Sequence, residues 1–283
     1  MEQIRAIRAV IEPQMVIEGA GVRLLRSIAP RVSNEYDPFL LFDHFAFNDP
    51  REGPIAGFPT HPHRGIETVT YMLEGNVRHR DSLGNMGIIG PGDVQWMTSG
   101  RGILHEEMPR RGPGGVIYGF QLWVNLPAAL KMSRPRYQEV RADTIPVIEQ
   151  GGIRVRVVAG TYAGITGPVT EIAADPLYMD ISLQPGSLFE HPVARGHTTL
   201  IYLFQGEVRV GGNTISAVKM LHFEDGDILR IEGGDQPARF MAFAGAPFKE
   251  PIVPYGPFVM NTREEIQQAL IDLRNGTFVQ EER

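Results

Sequence analysis

Two pairs of potential metal ligands occur in the chain, and the members of each pair are two residues apart. His61 and His63 precede the run 68–74, which is rich in strand-forming residues, and His105 and Glu107 form the second pair. Side chains on a strand alternate between its faces, so the members of each pair point in the same direction. Two such pairs facing one another inside a barrel would place three imidazoles and one carboxylate around one point. Ligands of this kind suit a divalent transition metal.

The residues beside these pairs allow other assignments. Glu106 adjoins Glu107, but alternation turns only one of the two inward, so Glu106 is predicted to be solvated. Glu67 has the same parity as His63 and remains open as a ligand or as a hydrogen-bonding support. Arg64 is a candidate for orienting Glu67 or for the barrel rim. The other histidines lack a partner at ligand spacing and are interpreted as core or surface residues: His44, His79, His191, His197 and His222.

Composition excludes several classes of protein. At 283 residues the chain holds two medium domains or one large one, and its formal charge of −6 argues against a general nucleic-acid binder. The lack of cysteine excludes disulfides, thiolate zinc sites, iron–sulfur clusters and cysteine nucleophiles. No apolar run reaches membrane-spanning length, and the acidic residues near the start do not fit a signal peptide. A cytoplasmic location without a membrane partner is therefore predicted.

Glycine and proline divide the sequence into short runs that favour strands. With 32 Gly and 22 Pro spread along the chain, turn signals recur every ten or so residues, which is typical of an all-β sandwich or barrel. The predicted strands include 21–26, 68–74, 93–97, 116–125, 153–159, 177–183, 199–204, 227–231 and 239–244.

The C-terminal region is the exception, since it has helical periodicity. Thr262 and Glu265 form a capping box, and Gly276 lies where a C-terminal cap glycine belongs, which predicts a helix over 263–275. One apolar stripe is expected to dock this helix on a barrel flank: Ile266, Ala269, Leu270 and Leu273.

A weak internal repeat indicates two copies of one β-barrel. Gly75 and Gly206 each follow a run of strand formers and precede a Val-Arg step, and a Gly-Asp turn comes later in both copies. When Gly206 is aligned with Gly75, Pro192 and Ala194 fall at the positions of His61 and His63. Neither of these residues can bind a metal.

The second pair of ligand positions is compared through the two Gly-Asp turns. Setting Asp227 on Asp93 places Arg239 and Met241 at the positions of the His-Glu pair. These residues do not form a site of this type either. The second copy is therefore predicted to be metal-free and to have a structural role, or to line the mouth of the first barrel.

The repeat predicts two consecutive domains. Charged residues and prolines cluster between Arg134 and Pro146, which marks the junction. Residues 1–138 are predicted to form the N-terminal barrel with the metal site. Residues 139–283 are predicted to form the metal-free C-terminal barrel and to include the helix.

Four stretches of the sequence resemble the pirin family of the cupin superfamily. The resemblance extends from about residue 23 to the C-terminal helix. It rests on DPFLLFD (37–43), HPHRGIETVTY (61–71), PGDVQWMTSGRGILH (91–105) and YGPFVMNT (255–262). It implies two tandem cupin barrels of jelly-roll type, with one metal in the N-terminal barrel. The family's ligand pattern falls on His61, His63, His105 and Glu107.

The resemblance also implies a function. It indicates a quercetin 2,3-dioxygenase-type oxidoreductase, in which Glu107 assists deprotonation of a flavonol-like enol and dioxygen opens the ring with loss of carbon monoxide. Iron is the expected metal, with Mn, Co, Ni, Cu or Zn as alternatives. The alternative interpretation is that the chain is an iron-dependent, redox-responsive regulatory protein that binds transcription factors or metabolic enzymes. The partners are thus a small aromatic substrate or another protein, with no direct contact to nucleic acid, and the chain is expected to be a monomer.

Overall fold

Nearly all regular structure in the computed structural model, which describes residues 2–46 and 55–280, is β-strand, as predicted. In chain order the strands are β1 (Ile7–Ile11), β2 (Gln14–Glu18), β3 (Val22–Ile28), β4 (Phe39–His44), β5 (Phe58–His63), β6 (Ile66–Glu74), β7 (Asn76–Asp81), β8 (Met86–Ile89), β9 (Val94–Thr98), β10 (Ile103–Arg110), β11 (Tyr118–Asn125), β12 (Arg136–Val140) and β13 (Val147–Gln150). They continue with β14 (Ile153–Ala159), β15 (Thr161–Tyr162), β16 (Ile165–Thr166), β17 (Leu177–Leu183), β18 (Leu188–Pro192), β19 (Thr198–Gln205), β20 (Glu207–Val210), β21 (Asn213–Ser216), β22 (Lys219–Phe223), β23 (Ile228–Gly233), β24 (Ala238–Gly245), β25 (Val253–Tyr255) and β26 (Phe258–Met260). Two 3₁₀ turns, Ala128–Leu130 and Ala142–Thr144, and one α-helix, α1 (Arg263–Asn275), complete the described elements.

The chain divides into two compact units, and the division differs from the predicted one. The larger unit comprises Gln14–Ala142 with Phe248–Arg283, and the smaller comprises Met1–Pro13 with Asp143–Pro247. The first predicted boundary, at residue 138, is close to Ala142. The ends of the chain differ: β1 pairs with β22 of the smaller unit, and α1 packs on the β25–β26 hairpin of the larger one. A linear repeat does not reveal where such terminal segments pack.

Two antiparallel sheets make up most of the larger unit. The first has seven strands in the order β12-β9-β6-β11-β4-β3-β2, and the second has four in the order β5-β10-β7-β8. Their facing sides share one apolar cluster, to which Leu24 and Met72 contribute from the first sheet and Val77 and Ile89 from the second. The two ligand-bearing strands, β5 and β10, are neighbours in the four-stranded sheet.

The smaller unit repeats this strand order. Its sheets run β1-β22-β19-β24-β17-β14-β13 and β18-β23-β20-β21. Large apolar side chains fill the space between them, among them Phe189, Ile201, Leu229 and Phe240, all fully buried. The repeat inferred from the sequence is therefore visible as a repeated sheet topology.

The topology corrects one register in the repeat. β23 occupies the place of β10, since β10 pairs with β5 and β7, whereas β23 pairs with β18 and β20. Arg239 and Met241 lie instead in β24, which corresponds to β11. The residue opposite Pro192 is Ile228, just as His105 lies opposite His61. Ile228 and Pro192 carry no ligand atom, so this pair of positions still differs from the histidine pair.

The C-terminal helix forms at the predicted residues. The Thr262 hydroxyl accepts from the backbone N–H of Glu265 (3.2 Å), and the Glu265 carboxylate accepts from the N–H of Thr262 (2.8 Å), which completes the capping box. Gly276 ends the helix in the left-handed region at φ 70°. Ile266 and Ala269 are buried against Phe258, Met260 and Phe278, so the apolar stripe docks as expected. Among the described residues, no helix is long and apolar enough to cross a membrane.

A buried lysine fastens the turn that follows β5. The Lys131 ammonium donates to the carbonyl oxygens of Gly65 (2.9 Å) and Val259 (2.7 Å) and to Asn125 Oδ1 (2.7 Å), and the residue is only 1% exposed. Three acceptors match its three N–H donors. This bond set joins the Gly65 turn to β26, and the turn directly follows the histidine pair.

Lys131→Met is expected to lower the free energy of unfolding of the larger unit by about 2–4 kcal/mol, because three acceptors would lose a buried donor. Both tryptophans, Trp96 and Trp123, lie in that unit, so tryptophan fluorescence during urea denaturation reports its unfolding selectively. Lys249→Met is the control: this lysine is exposed and belongs to the same unit, so the effect should stay below about 0.5 kcal/mol. Equal midpoints for Lys131→Met and the wild type would contradict the assigned role.

Candidate metal centre

Strand pairing brings the three predicted histidines together. β5 and β10 are antiparallel, with His61 directly opposite His105, and His63 lies two residues further along β5 on the same face. The ligand nitrogens of the three side chains all lie within 4.8 Å of one another. His61 is partly exposed, whereas His63 and His105 are 3% and 1% exposed. The three imidazoles thus converge at the edge of a buried region.

Backbone carbonyls orient two of the imidazoles. His61 Nδ1 lies 2.9 Å from the carbonyl oxygen of Pro59, and His63 Nδ1 lies 3.2 Å from that of Pro257. A carbonyl oxygen only accepts, so in each ring Nδ1 carries the proton and Nε2 presents a lone pair. The two Nε2 atoms face each other at 3.2 Å. Facing lone pairs repel unless a cation or a proton lies between them.

His105 supplies a second indication of a cation site. Neither of its ring nitrogens has a hydrogen-bond partner among the described residues, although the side chain is buried. Burial, followed by the neighbouring imidazoles, holds the pKa of His105 well below its usual value, and burial lowers the pKa of His63 to about 3. Both rings are therefore neutral, which is the form that binds metals. The donor set fits a divalent transition metal.

Glu107 lies in the same cavity but not in the histidine group. Its carboxylate is buried and accepts from Thr70 Oγ1 (3.2 Å) and from Gln121 Nε2 (3.2 and 3.0 Å). The pairing of β10 with β5 shifts register between His105 and Glu107. Among the described residues, the group of possible ligand atoms within 4.8 Å of one another comprises the three histidines and not the Glu107 carboxylate. Ligation by Glu107 stays a prediction.

Glu67 does not face the histidines, contrary to one sequence-based possibility. It lies on β6, on the opposite face from Thr70, which contacts Glu107. Its carboxylate accepts from Thr98 Oγ1 at 2.7 Å. Gly65, at φ 80°, ends β5, and a Cβ there would lie 2.2 Å from the Val259 carbonyl oxygen. Because the turn interrupts the strand, the parity counted from His63 does not continue to Glu67.

Burial changes the proton affinity of Glu67. It raises the pKa of this carboxyl to about 7, and the hydrogen bonds from Thr98 and Trp96 and the charge of Arg136 only partly oppose it. The folded protein therefore keeps the proton up to about pH 7, whereas the unfolded chain releases it near the ordinary glutamate pKa of 4.5. Since the folded state binds more protons in that window, this group makes stability fall as pH rises from 4.5 to 7.

Glu67→Gln is expected to unfold like the wild type at about pH 5 and to be more stable at about pH 8, by roughly 3 kcal/mol at most. The amide stays neutral at both values, so the cost of ionising a buried carboxyl disappears. Urea denaturation of metal-free protein at the two pH values, followed by tryptophan fluorescence, measures the difference. Glu35→Gln, at an exposed position, should show no such pH-dependent gain. A variant that is less stable than the wild type at pH 8 would contradict the assignment.

Arg64 anchors the C-terminal segment and does not orient Glu67. Its Nη1 donates to Asp272 on α1 at 2.7 Å, and its guanidinium lies 4.4 Å from the ring centroid of Phe278. The side chain is 1% exposed. Together with the Pro257 carbonyl on His63 Nδ1, this contact ties the C-terminal segment to the second histidine of the pair.

His79 is the residue near the site whose placement the sequence left open. Its ring centroid is 5.3 Å from that of His105. Gln95 Nε2 lies 2.9 Å from His79 Nδ1, and Asp81 Oδ2 lies 3.3 Å from Nε2, so both nitrogens are engaged. His79 is therefore a core residue that packs against the His105 ring. The alternation of buried and exposed residues along β7 is the sequence signal that could have indicated this.

Sequence reasoning missed two further residues, both on β11. Gln121 holds the Glu107 carboxylate, and Trp123 Nε1 donates to Gln121 Oε1 at 3.3 Å. The Trp123 ring meets the His63 ring edge-on, with centroids 5.1 Å apart. Their spacing of two residues places both on the inner face of the strand, but only the fold shows which face is inner.

His61 and His63 line a cavity of about 420 Å³. This volume lies within the range of small-molecule sites. Apolar and polar side chains both line it: Leu24, Leu41, Phe45, Phe58, Trp123 and Pro257, with Glu18, Arg26, Asp43, His61, His63, Glu107 and Gln121.

Comparison with known proteins fits this geometry. Residues 21–124 match the family model described as Pirin, and residues 178–279 match the one described as Pirin C-terminal cupin domain. The chain belongs to the pirin family. The predicted fold, two cupin domains of jelly-roll type with a C-terminal helix, is thereby confirmed. The chain also has a histidine cluster able to hold a metal.

Three relatives show how far the similarity extends. The Pirin-like protein of Caulobacter vibrioides is 46% identical over 277 residues, which cover 97% of this chain and 99% of the relative. Human Pirin is 43% identical over 264 residues, which cover 91% and 88%. The crystal structure of Quercetin 2,3-dioxygenase from Acinetobacter baumannii is 35% identical with a TM-score of 0.88 and covers 98% of this chain and 99% of that one. The similarity therefore spans both domains.

Proposed function

We propose that the protein is a metal-dependent dioxygenase of the quercetin 2,3-dioxygenase type, which cleaves a flavonol-like enol with O₂. The observation that carries the proposal is the group of three imidazoles with converging ligand nitrogens, two of which line a cavity beside a buried carboxylate. The similarity to an Acinetobacter baumannii protein named Quercetin 2,3-dioxygenase supports it. We retain the cytoplasmic location and the monomeric state predicted from the sequence.

His61, His63 and His105 would hold the metal, and Glu107 is proposed as the fourth ligand. A bound transition metal, iron or alternatively Mn, Co, Ni, Cu or Zn, would supply Lewis acidity and the means of reacting with O₂. The backbone carbonyls that fix the His61 and His63 tautomers keep the ring nitrogens in place before the metal binds.

Glu107 is proposed to take the proton from the enol hydroxyl of the substrate. Its carboxylate is held by Thr70 and Gln121, so its oxygens are fixed at the cavity wall beside the histidines. A positioned carboxylate can accept a proton on Oε, and the hydroxyl oxygen is left as an enolate. Trp123 fixes Gln121 in turn, so the three residues orient the base as one chain of hydrogen bonds.

The apolar cavity walls bind the aromatic rings and exclude water. Phe45, Phe58 and Trp123 offer ring faces or edges to a flat substrate, and Leu24 and Leu41 complete the wall. Exclusion of water protects the deprotonated substrate from taking a proton back.

Aerobic incubation of the metal-loaded protein with quercetin tests the proposal. One depside and one molecule of carbon monoxide are expected for each O₂ consumed, as measured by chromatography and gas analysis. The metal-free protein serves as the control. Quercetin that is recovered unchanged, with no carbon monoxide, would overturn the proposal.

A second function, redox-responsive binding of partner proteins, is favoured by the 43% identity to human Pirin. It would use the same metal site, with the oxidation state of iron altering the surface around it. Capture of partners from the native cell with oxidised and with reduced protein distinguishes the two functions. Identical partner sets in both states would count against this second function.

A further inference from the structure

A charged cluster lies in the wall of the histidine cavity. Arg26 donates from Nε to Asp43 Oδ1 (2.8 Å) and from Nη2 to Asp43 Oδ2 (2.7 Å), and its Nη1 donates to Glu18 (2.7 Å). All three side chains line the same cavity as His63 and Glu107. We call Glu18, Arg26 and Asp43 the Arg26 triad.

The strand order places the triad away from the reacting end of the cavity. Gln121, which holds Glu107, pairs with Asp43 on the next strand, and Asp43 pairs with Arg26 on the strand after that. Neighbouring strands are about 4.8 Å apart, so the Arg26 backbone lies roughly 10 Å from that of Gln121. A flat substrate of two or three aromatic rings spans such a distance, and Leu41 lines the cavity as well.

The triad retains unused hydrogen-bonding capacity. Arg26 has five N–H groups, and three of them donate in the bonds to Asp43 and Glu18, while no described residue accepts from the other two. Each Asp43 oxygen accepts one bond from Arg26 and keeps a further lone pair. The triad can therefore both donate to a hydroxyl oxygen and accept from a hydroxyl proton. Two adjacent aromatic hydroxyls match this arrangement.

The charge of the triad disfavours anions. One guanidinium and two carboxylates give a formal charge of −1, and the bidentate bond to Asp43 already occupies the edge of Arg26 that would grip a carboxylate or phosphate. A neutral hydroxyl group meets no such repulsion. The chemistry of the wall thus selects polyhydroxylated aromatic molecules over carboxylated ones.

We propose that the Arg26 triad is a subsite that recognises hydroxyl groups on the ring remote from the enol of the substrate. This inference rests on the proposed function, since it assumes an aromatic enol held at the histidines. It makes Arg26 and Asp43 determinants of specificity, which contact the substrate without taking part in the chemistry.

The test compares three flavonols that differ only in the hydroxyls of the outer ring: galangin with none, kaempferol with one and quercetin with two. Binding to the metal-loaded protein without O₂ and turnover with O₂ are both measured. The wild type is expected to bind quercetin about tenfold more tightly than galangin. The Arg26→Leu/Asp43→Leu double variant exchanges the pair for apolar groups. In it, the ratio of quercetin affinity to galangin affinity should fall to about one, with galangin affinity retained.

The smaller unit offers a matched control pair. Arg239 donates to Asp180 in the same bidentate manner (2.9 and 2.6 Å), but neither residue lines the histidine cavity. The Arg239→Leu/Asp180→Leu variant should keep the wild-type ratio of quercetin affinity to galangin affinity. Arg26→Lys keeps the charge and loses the planar fork, so it should lower the preference at least about threefold even if the double variant does not fold.

Each outcome bears on one proposal or on both. Equal affinity of the wild type for the three flavonols, or a preference that survives in Arg26→Leu/Asp43→Leu, would overturn the subsite alone. Selective binding without carbon monoxide would overturn the dioxygenase activity and leave the subsite standing. A wild type that binds none of the three would overturn both.

Discussion

The His61→Ala variant is expected to retain less than about a tenth of the transition metal that the wild type holds, because one of three imidazole ligands is lost. The structural reason is the 3.2 Å approach of the Nε2 atoms of His61 and His63, which brings two metal-binding nitrogens together. Metal analysis of protein purified without chelators measures the loss. The wild type should also lose thermal stability when a chelator is added, because bound metal stabilises the folded state by mass action.

The stability of the metal-free forms adds a sharper readout. Without metal, His61→Ala should unfold no earlier than the wild type, because the substitution removes one of two facing lone pairs and His61 is only partly buried. His191→Ala is the control: this buried histidine lies in the smaller unit, against Phe189 and Tyr162, and metal content should not change. Full metal content in His61→Ala would contradict the proposed centre.

The histidine cluster could be predicted because its information is local. His61 and His63 share one strand, and period-two alternation holds within a strand whatever the rest of the fold does. The helix over Arg263–Asn275 was predictable for the same reason, since its caps and its apolar stripe lie within fifteen residues. Both predictions needed no long-range contact.

Three sequence-based interpretations differ from the structure because each crosses a break in the local pattern. Equal parity of His63 and Glu67 requires one continuous strand, but the turn at Gly65 separates β5 from β6. The sequence makes Arg64 a candidate for orienting Glu67, whereas the side chain bonds to Asp272, 208 residues away along the chain. The comparison of Asp227 with Asp93 aligned turns that precede different strands of the repeat, as the pairing of β23 shows.

The cavity could not be predicted because its walls come from distant strands. Arg26, Asp43 and Gln121 become neighbours only through the pairing of β3, β4 and β11. Each is an ordinary polar residue in its own stretch of sequence. Their common position on the inner face of one sheet depends on the strand order, which turn signals do not encode.

The Glu107→Gln variant is expected to lose about 10²- to 10⁴-fold in kcat for flavonol cleavage, which is the usual contribution of a general base. The amide has nearly the same shape, and an oxygen at the Oε1 position still accepts from Thr70 and Gln121, while the NH2 group in place of Oε2 loses the 3.0 Å bond from Gln121. It cannot take a proton from the enol, however. KM should change only a few-fold, since the cavity walls remain. Metal content should stay above about half of the wild-type value, because the three imidazoles persist.

Glu106→Gln is the matched control for this loss of turnover. Glu106 is the adjacent residue of β10 and faces away from the cavity, with its Oε1 3.7 Å from Arg78 Nη2. Its substitution therefore changes the net charge by the same amount without altering the site. We expect its kcat to match the wild type. Equal losses in the two variants would show that a change in net charge, and not the proton acceptor, slows the reaction. A Glu107→Gln protein with wild-type turnover would show that the enol loses its proton by a route without this carboxylate, while the histidine centre would stand unaffected.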